Sequence, residues 1–150
     1  MNPEDEIGRA LKPAKMVAAA VVGSLAIYLA LVEILKATLK PFRGFATVGD
    51  MQPIRYALYG AGAAVVLLIL LLRPRLYRRR AGEDAGTALI RLQRASVLTM
   101  VLGEVPAMLG LVLFLVGGFA RDFYSLLFVS IVLLFIHFPR RGAWEESLKG

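Results

Sequence analysis

Four long apolar runs, at residues 14–35, 54–72, 95–118 and 123–138, alternate with stretches rich in Arg, Lys, Asp and Gly. A helix rises 1.5 Å per residue and the hydrocarbon core of a bilayer is about 30 Å thick, so about 20 apolar residues cross it. The first three runs meet that length. The fourth, with about 16 residues, crosses only if the bilayer thins or its flanking Arg121 and Arg140 reach the interface. The third continues a helix that starts near Thr87, through Ile90, Arg91, Leu92 and Arg94. The pattern predicts an all-α integral membrane four-helix bundle, with residues 1–150 forming a single transmembrane domain.

Lipid is as apolar as Leu, so helices in a membrane associate where small residues let backbones approach. Ala19, Gly23, Ala26 and Ala30 recur at helical spacing in the first run, and Ala57, Gly60 and Ala64 form a shorter stripe in the second. Ser96, Gly103, Gly110 and Gly117 repeat every seven residues in the third, a spacing suited to near-parallel left-handed crossing. These are the predicted helix-packing positions. The fourth run has no Gly or Ala and is expected to face lipid or a bulky groove. The halves also resemble one another, Gly23 to Val32 with Gly103 to Val112 and Val65 to Ile69 with Ile131 to Phe135. A duplicated hairpin would produce that similarity, with its copies parallel rather than inverted.

Composition agrees with the pattern. The chain is 58% hydrophobic over 150 residues, more than one soluble core of that size hides. Its 18 Lys and Arg against 11 Asp and Glu leave a net +7, gathered between the apolar runs. The segment 73–94 holds Arg73, Arg75, Arg78, Arg79, Arg80, Arg91 and Arg94, which marks it as the cytoplasmic loop. Four spans then place both termini in the cytoplasm, beside Arg9, Lys12 and Lys15 at one end and Arg140, Arg141 and Lys149 at the other. The expected location is a bacterial inner (cytoplasmic) membrane, and the first connection, with Lys36, Lys40, Arg43 and Arg55, is the exception to the charge bias. Arg73, Arg75, Arg78, Arg79 and Arg80 stand against the membrane, where each gains about 1 kcal/mol from anionic headgroups, so anionic lipid is an expected partner. That first connection alternates its cations with Leu39, Phe42 and Phe45, as an interfacial segment or an ordinary loop would. No soluble segment is long enough for a nucleic-acid-binding domain. No cysteine and a single histidine, His137, leave no thiolate metal site and no bis-histidine haem. No cofactor and no metal site are predicted.

One residue conflicts with its surroundings. Glu104 stands about ten residues inside the third run, where an ionised side chain costs about 2.5–3.5 kcal/mol or more. Two residues on, Pro106 frees the carbonyl of Leu102 as a local hydrogen-bond partner. Two readings stay open: a proton- or cation-binding carboxyl, or a structural one bonded to a neighbouring helix. Glu33, three residues before Lys36, reads as half of an interfacial ion pair, and His137 as a headgroup-level residue.

The run Gly103-Glu104-Val105-Pro106-Ala107-Met108-Leu109-Gly110-Leu111-Val112 resembles the carboxylate-bearing helix of rotary ATPase proteolipids, the c-ring subunits. Tyr59-Gly60-Ala61-Gly62-Ala63-Ala64 and the basic loop match that family's hairpin more loosely. The resemblance implies that Glu104 carries the ion. It departs from the family in the short small-residue patch of the second run, its absence from the fourth, and Ser24 where a second carboxylate would stand. No Ser–His–Asp grouping, metal-ligand cluster or phosphate loop points to an enzyme. The expected function is therefore a non-catalytic membrane subunit that packs into a larger respiratory or transport complex or a homo-oligomer. The alternative is an ion-translocating component that uses Glu104.

Overall fold

The computed structural model describes residues 3–46, 50–77, 84–138 and 142, with side chains from Gly8 onward except those of Arg73, Leu76, Tyr77 and Ala85. Arg78, Arg79, Arg80, Arg140, Arg141 and Lys149 lie outside the described residues. Four helices are present among the described residues: α1 (Pro3–Thr38), α2 (Gln52–Tyr77), α3 (Ala85–Gly117) and α4 (Ala120–His137). All four are long and apolar enough to cross a membrane. The predicted all-α, four-span architecture is present, with α1 and α3 extended well past their apolar runs.

The helix ends follow local chemistry. Asp84, in extended conformation (φ −71°, ψ 158°), accepts from the amides of Gly86 at 3.1 Å and Thr87 at 3.3 Å and so caps α3. The Thr87 hydroxyl, then the Thr87 and Gly86 amides, hold its carboxyl below the usual aspartate range. A lowered folded-state value means that the stabilisation is complete above the unfolded value and is lost as pH falls through the folded one. The melting difference between the wild type and Asp84→Ala is accordingly expected to be constant near neutrality and to shrink in strong acid. A difference that grew on acidification would contradict the assignment. At its other end α3 stops at Gly118, whose φ of +72° suits glycine and whose amide bonds the Phe114 carbonyl at 2.8 Å.

The helix α3 is the centre of the bundle. It runs parallel to α1, with Leu11 and Ala14 packed near Leu89 and Leu92 at one end and Phe42, just past α1, stacked 4.7 Å from Phe114 at the other. It runs antiparallel to α2 and α4. The first connection docks on the end of α3: the amides of Phe45 and Ala46 donate to the carbonyls of Leu115 at 2.7 Å and Val116 at 3.2 Å. Phe42 is half-buried there while Leu39 and Phe45 are exposed, and these backbone bonds anchor the segment to the bundle. Phe42, Phe114, Phe123 and Tyr124 form a chain of ring contacts from this connection into α4.

Of the two neighbours expected for α4, lipid and a bulky groove, the groove is present: 44% of its apolar window is buried, against 22% for α1 and 11% for α2. The reason is the glycine stripe of α3. A Cβ on Gly103 would meet Leu134 and Leu133 at 3.5–3.8 Å, and one on Gly110 would meet Leu126 and the Phe123 backbone at 3.0–3.2 Å. The bulky side chains of α4 fill a groove that Gly103 and Gly110 of α3 leave open; of the other two stripe positions, Ser96 is fully buried and a Cβ on Gly117 would meet Phe119 and Met51 rather than α4. Bulk on one helix complements smallness on the next, and composition of α4 alone could not show this.

The stripes differ on α1 and α2. Their small residues do not face the bundle: Ala19, Gly23, Ala26, Ala30, Ala57, Gly60 and Ala64 are all exposed, and nothing lies within 4 Å of a Cβ built on Gly23 or Gly60. The core face of α1 is instead Leu11, Ala14, Ala18, Val21, Leu25 and Val32, spaced by threes and fours. At about 100° per residue, the small stripe lies roughly opposite that face. On α2 the inward positions are Gly62 and Ile69, again nearly opposite the small stripe.

Candidate functional site

Glu104 projects from α3 toward α1, half-buried at the rim of their interface. The α3–α4 contacts set its depth. Gly103 lies against Leu133 and Leu134, and the Ala107 amide donates to the buried Ser130 hydroxyl at 2.9 Å. These residues stand within about one and a half helical turns of the middle of α4, so the carboxyl is inside the apolar layer. Pro106 sits fully packed just beyond it, and the Ser130 hydroxyl supplies an acceptor beside the interrupted helical ladder.

The partners of Glu104 come from α1, not from the Leu102 carbonyl freed by Pro106. Ser24 and Tyr28, four residues apart and so on one face, both reach its Oε1. The Tyr28 hydroxyl donates at 2.6 Å, and the Ser24 hydroxyl makes a second, short hydrogen bond. Ser24 Oγ also lies 2.8 Å from the Val21 carbonyl oxygen.

Counting hydrogens shows what this arrangement accommodates. Serine has one hydroxyl hydrogen, and Ser24 has two acceptors within reach. With an ionised carboxylate, Ser24 and Tyr28 both donate to Oε1. With a protonated carboxyl, Glu104 donates to Ser24, Ser24 turns its hydrogen to the Val21 carbonyl, and Tyr28 still donates to Oε1. One rotation of a hydroxyl satisfies either state without moving a heavy atom.

Two further polar clusters lie at the opposite end of the bundle from the basic loop. Asp122, in the first turn of α4 and 6% exposed, receives Arg55 Nε at 2.7 Å, Arg55 Nη2 at 3.0 Å and the Tyr59 hydroxyl at 3.2 Å. Arg55 also lies over the Phe119 ring at 4.6 Å. This bidentate pair ties α2 to α4, and reading Arg55 only as a loop cation missed it. An Asp at the head of the fourth apolar run, with an Arg and a Tyr spaced by four at the head of the second, was the available signal. Asp122→Ala strands Arg55 and Tyr59, and because Arg55 is partly exposed the expected loss is about 2 kcal/mol rather than the 3–5 of a fully buried pair. Denaturant unfolding in micelles measures it, and an unchanged midpoint would refute the role.

The Glu33–Lys36 pair is present at 3.3 Å and is joined by Tyr124, whose hydroxyl donates to Glu33 and accepts from Lys36 at 2.7 Å. The predicted intrahelical ion pair thus also bridges α1 to α4. His137 is buried at the end of α4, its Nδ1 2.7 Å from the Leu133 carbonyl oxygen. Of the basic-loop arginines, Arg75 is exposed on the last turn of α2. Comparison with protein families, with curated proteins and with solved structures finds no match.

Proposed function

We propose that the protein is a multi-spanning membrane subunit whose Glu104 binds and releases a proton. The observation that carries this reading is the pair of hydroxyls on Glu104 Oε1, with the Val21 carbonyl behind Ser24. A purely structural carboxyl needs one set of donors. This one has a neighbour that exchanges donor for acceptor by rotating a single bond, at a depth where charge is costly. The resemblance of its helix to c-ring proteolipids implies the same role for the same residue.

Hydrophobic carbodiimides react with protonated carboxyls, which provides the test. In the detergent-purified chain, labelling is expected at Glu104, declining as pH rises and reversible before reaction, with Ser24→Ala altering its pH dependence. An inert Glu104, or labelling that ignores pH, would overturn the reading.

A second reading, a non-catalytic subunit or homo-oligomer held by helix packing, is favoured by the outward stripes around Gly23 and Gly60. Helices that expose close-packing faces to lipid have room for partner helices. Native mass measurement after mild extraction is expected to show an assembly that Gly60→Leu dissociates. A wild-type chain that is monomeric throughout would rule this reading out.

A further inference from the structure

A groove of about 610 Å³ runs between α1 and α4, lined by Val22, Ala26 and Leu29 on one side and Ile131, Phe135 and Phe138 on the other. Its walls are almost wholly apolar. Following the same face of α1 toward the N-terminus, the spacing 29, 26, 22, 19, 15, 12 leads to Lys15 and Lys12, which line an adjoining depression with Met16 and Ala19. One strip of α1 is therefore apolar over two turns and doubly cationic at one end.

The dimensions match a single leaflet. The helices α1 and α4 are antiparallel, with Glu33 and Lys36 at Tyr124 and Leu25 near Leu134, which places Leu29 level with the middle of α4. If that level is the bilayer midplane, the hydrocarbon boundary lies about 15 Å away. Lys15, 14 residues from Leu29, is about 21 Å along the helix and so about 6 Å into the headgroup layer. Lys12 lies one turn further out.

We propose that this strip is a binding site for one anionic glycerophospholipid, its phosphate-bearing headgroup held by Lys12 and Lys15 and one acyl chain lying in the α1–α4 groove. The site is separate from the arginines of the basic loop. It uses charge for the headgroup and shape for the chain, and it faces away from the Ser24 flank on which Glu104 is held.

Native mass spectrometry of the whole purified chain, titrated with phosphatidylglycerol or with phosphatidylcholine of the same acyl chains, tests it. The wild type is expected to retain one phosphatidylglycerol with about a thirtyfold preference, the effect of two interfacial cations. Lys12→Gln with Lys15→Gln is expected to reduce that preference to near unity. Ala26→Trp and Val22→Trp, which fill the groove from exposed positions, are expected to lower retention of both lipids; either one that keeps native helicity suffices. Equal retention of the two lipids by the wild type would overturn the proposal. So would a preference that survives loss of both lysines but disappears in Arg75→Gln, or retention that a folded groove-filling variant leaves unchanged.

Discussion

Gly110→Leu is expected to separate α4 from α3. A Cβ at this position already lies 3.0 Å from Leu126 Cβ and 3.1 Å from the Phe123 Cα, so the atoms in the way include backbone that cannot rotate aside. Overpacking a tight contact costs about 1–3 kcal/mol, and a side chain as large as Leu against backbone is expected at or above the top of that range. The same substitution at Gly23 or Gly60 meets nothing within 4 Å and is expected to change monomer stability by no more than about 0.5 kcal/mol. Unfolding in mixed micelles, scored by loss of the native midpoint, distinguishes the three. Equal sensitivity at all three glycines would show that α3 is not the groove into which α4 packs.

The second large effect is expected at the hydroxyl pair. Ser24→Ala combined with Tyr28→Phe leaves Glu104 in the apolar layer without either donor. Hydrogen bonds between membrane helices are worth about 0.6 kcal/mol on average and up to about 1.7, so removing two that share one charged oxygen is expected to cost about 1–3 kcal/mol. The single substitutions are expected to be non-additive, because each remaining hydroxyl takes over part of the role of the other. A double-mutant cycle measures this coupling. Adding Glu104→Leu to the double variant is expected to restore much of the lost stability, since the group left unsatisfied is then gone. Independent effects of the two hydroxyls, with no rescue, would show that they do not act through Glu104.

These two sites also mark how far the sequence could be read. The four spans were legible because long, predominantly apolar runs have few alternatives, and Glu104 stood out because charge in such a run needs a reason. The seven-residue stripe of α3 was legible too, as Gly103 and Gly110 are buried where close packing needs them. The stripes on α1 and α2, spaced by threes and fours, also line one helix face but point outward. In an amphipathic soluble helix polarity tells inside from outside, whereas on these helices both faces are apolar and periodicity alone does not choose between them. The same ambiguity hid the place of α4, whose Leu and Phe suit lipid and a glycine groove equally. Ser24 and Tyr28 share a face by spacing, but their convergence on Glu104 depends on the parallel register of α1 and α3, a tertiary fact. Arg55 and Asp122 are likewise 67 residues apart in the chain and meet only because α2 and α4 both pack on α3 with their first turns at the same end.

The central claim is that Glu104 exchanges a proton within a hydroxyl pair that satisfies both of its states. Infrared difference spectroscopy of the protein reconstituted in lipid, recorded while pH is stepped, observes that exchange at the carbonyl stretch of a protonated carboxyl. The account predicts a reversible band that is absent in Glu104→Gln and shifted in Ser24→Ala and in Tyr28→Phe, because both hydroxyls bond its oxygen. A spectrum with no such band at any pH the folded protein tolerates, or one whose band persists unchanged in Glu104→Gln, would contradict it.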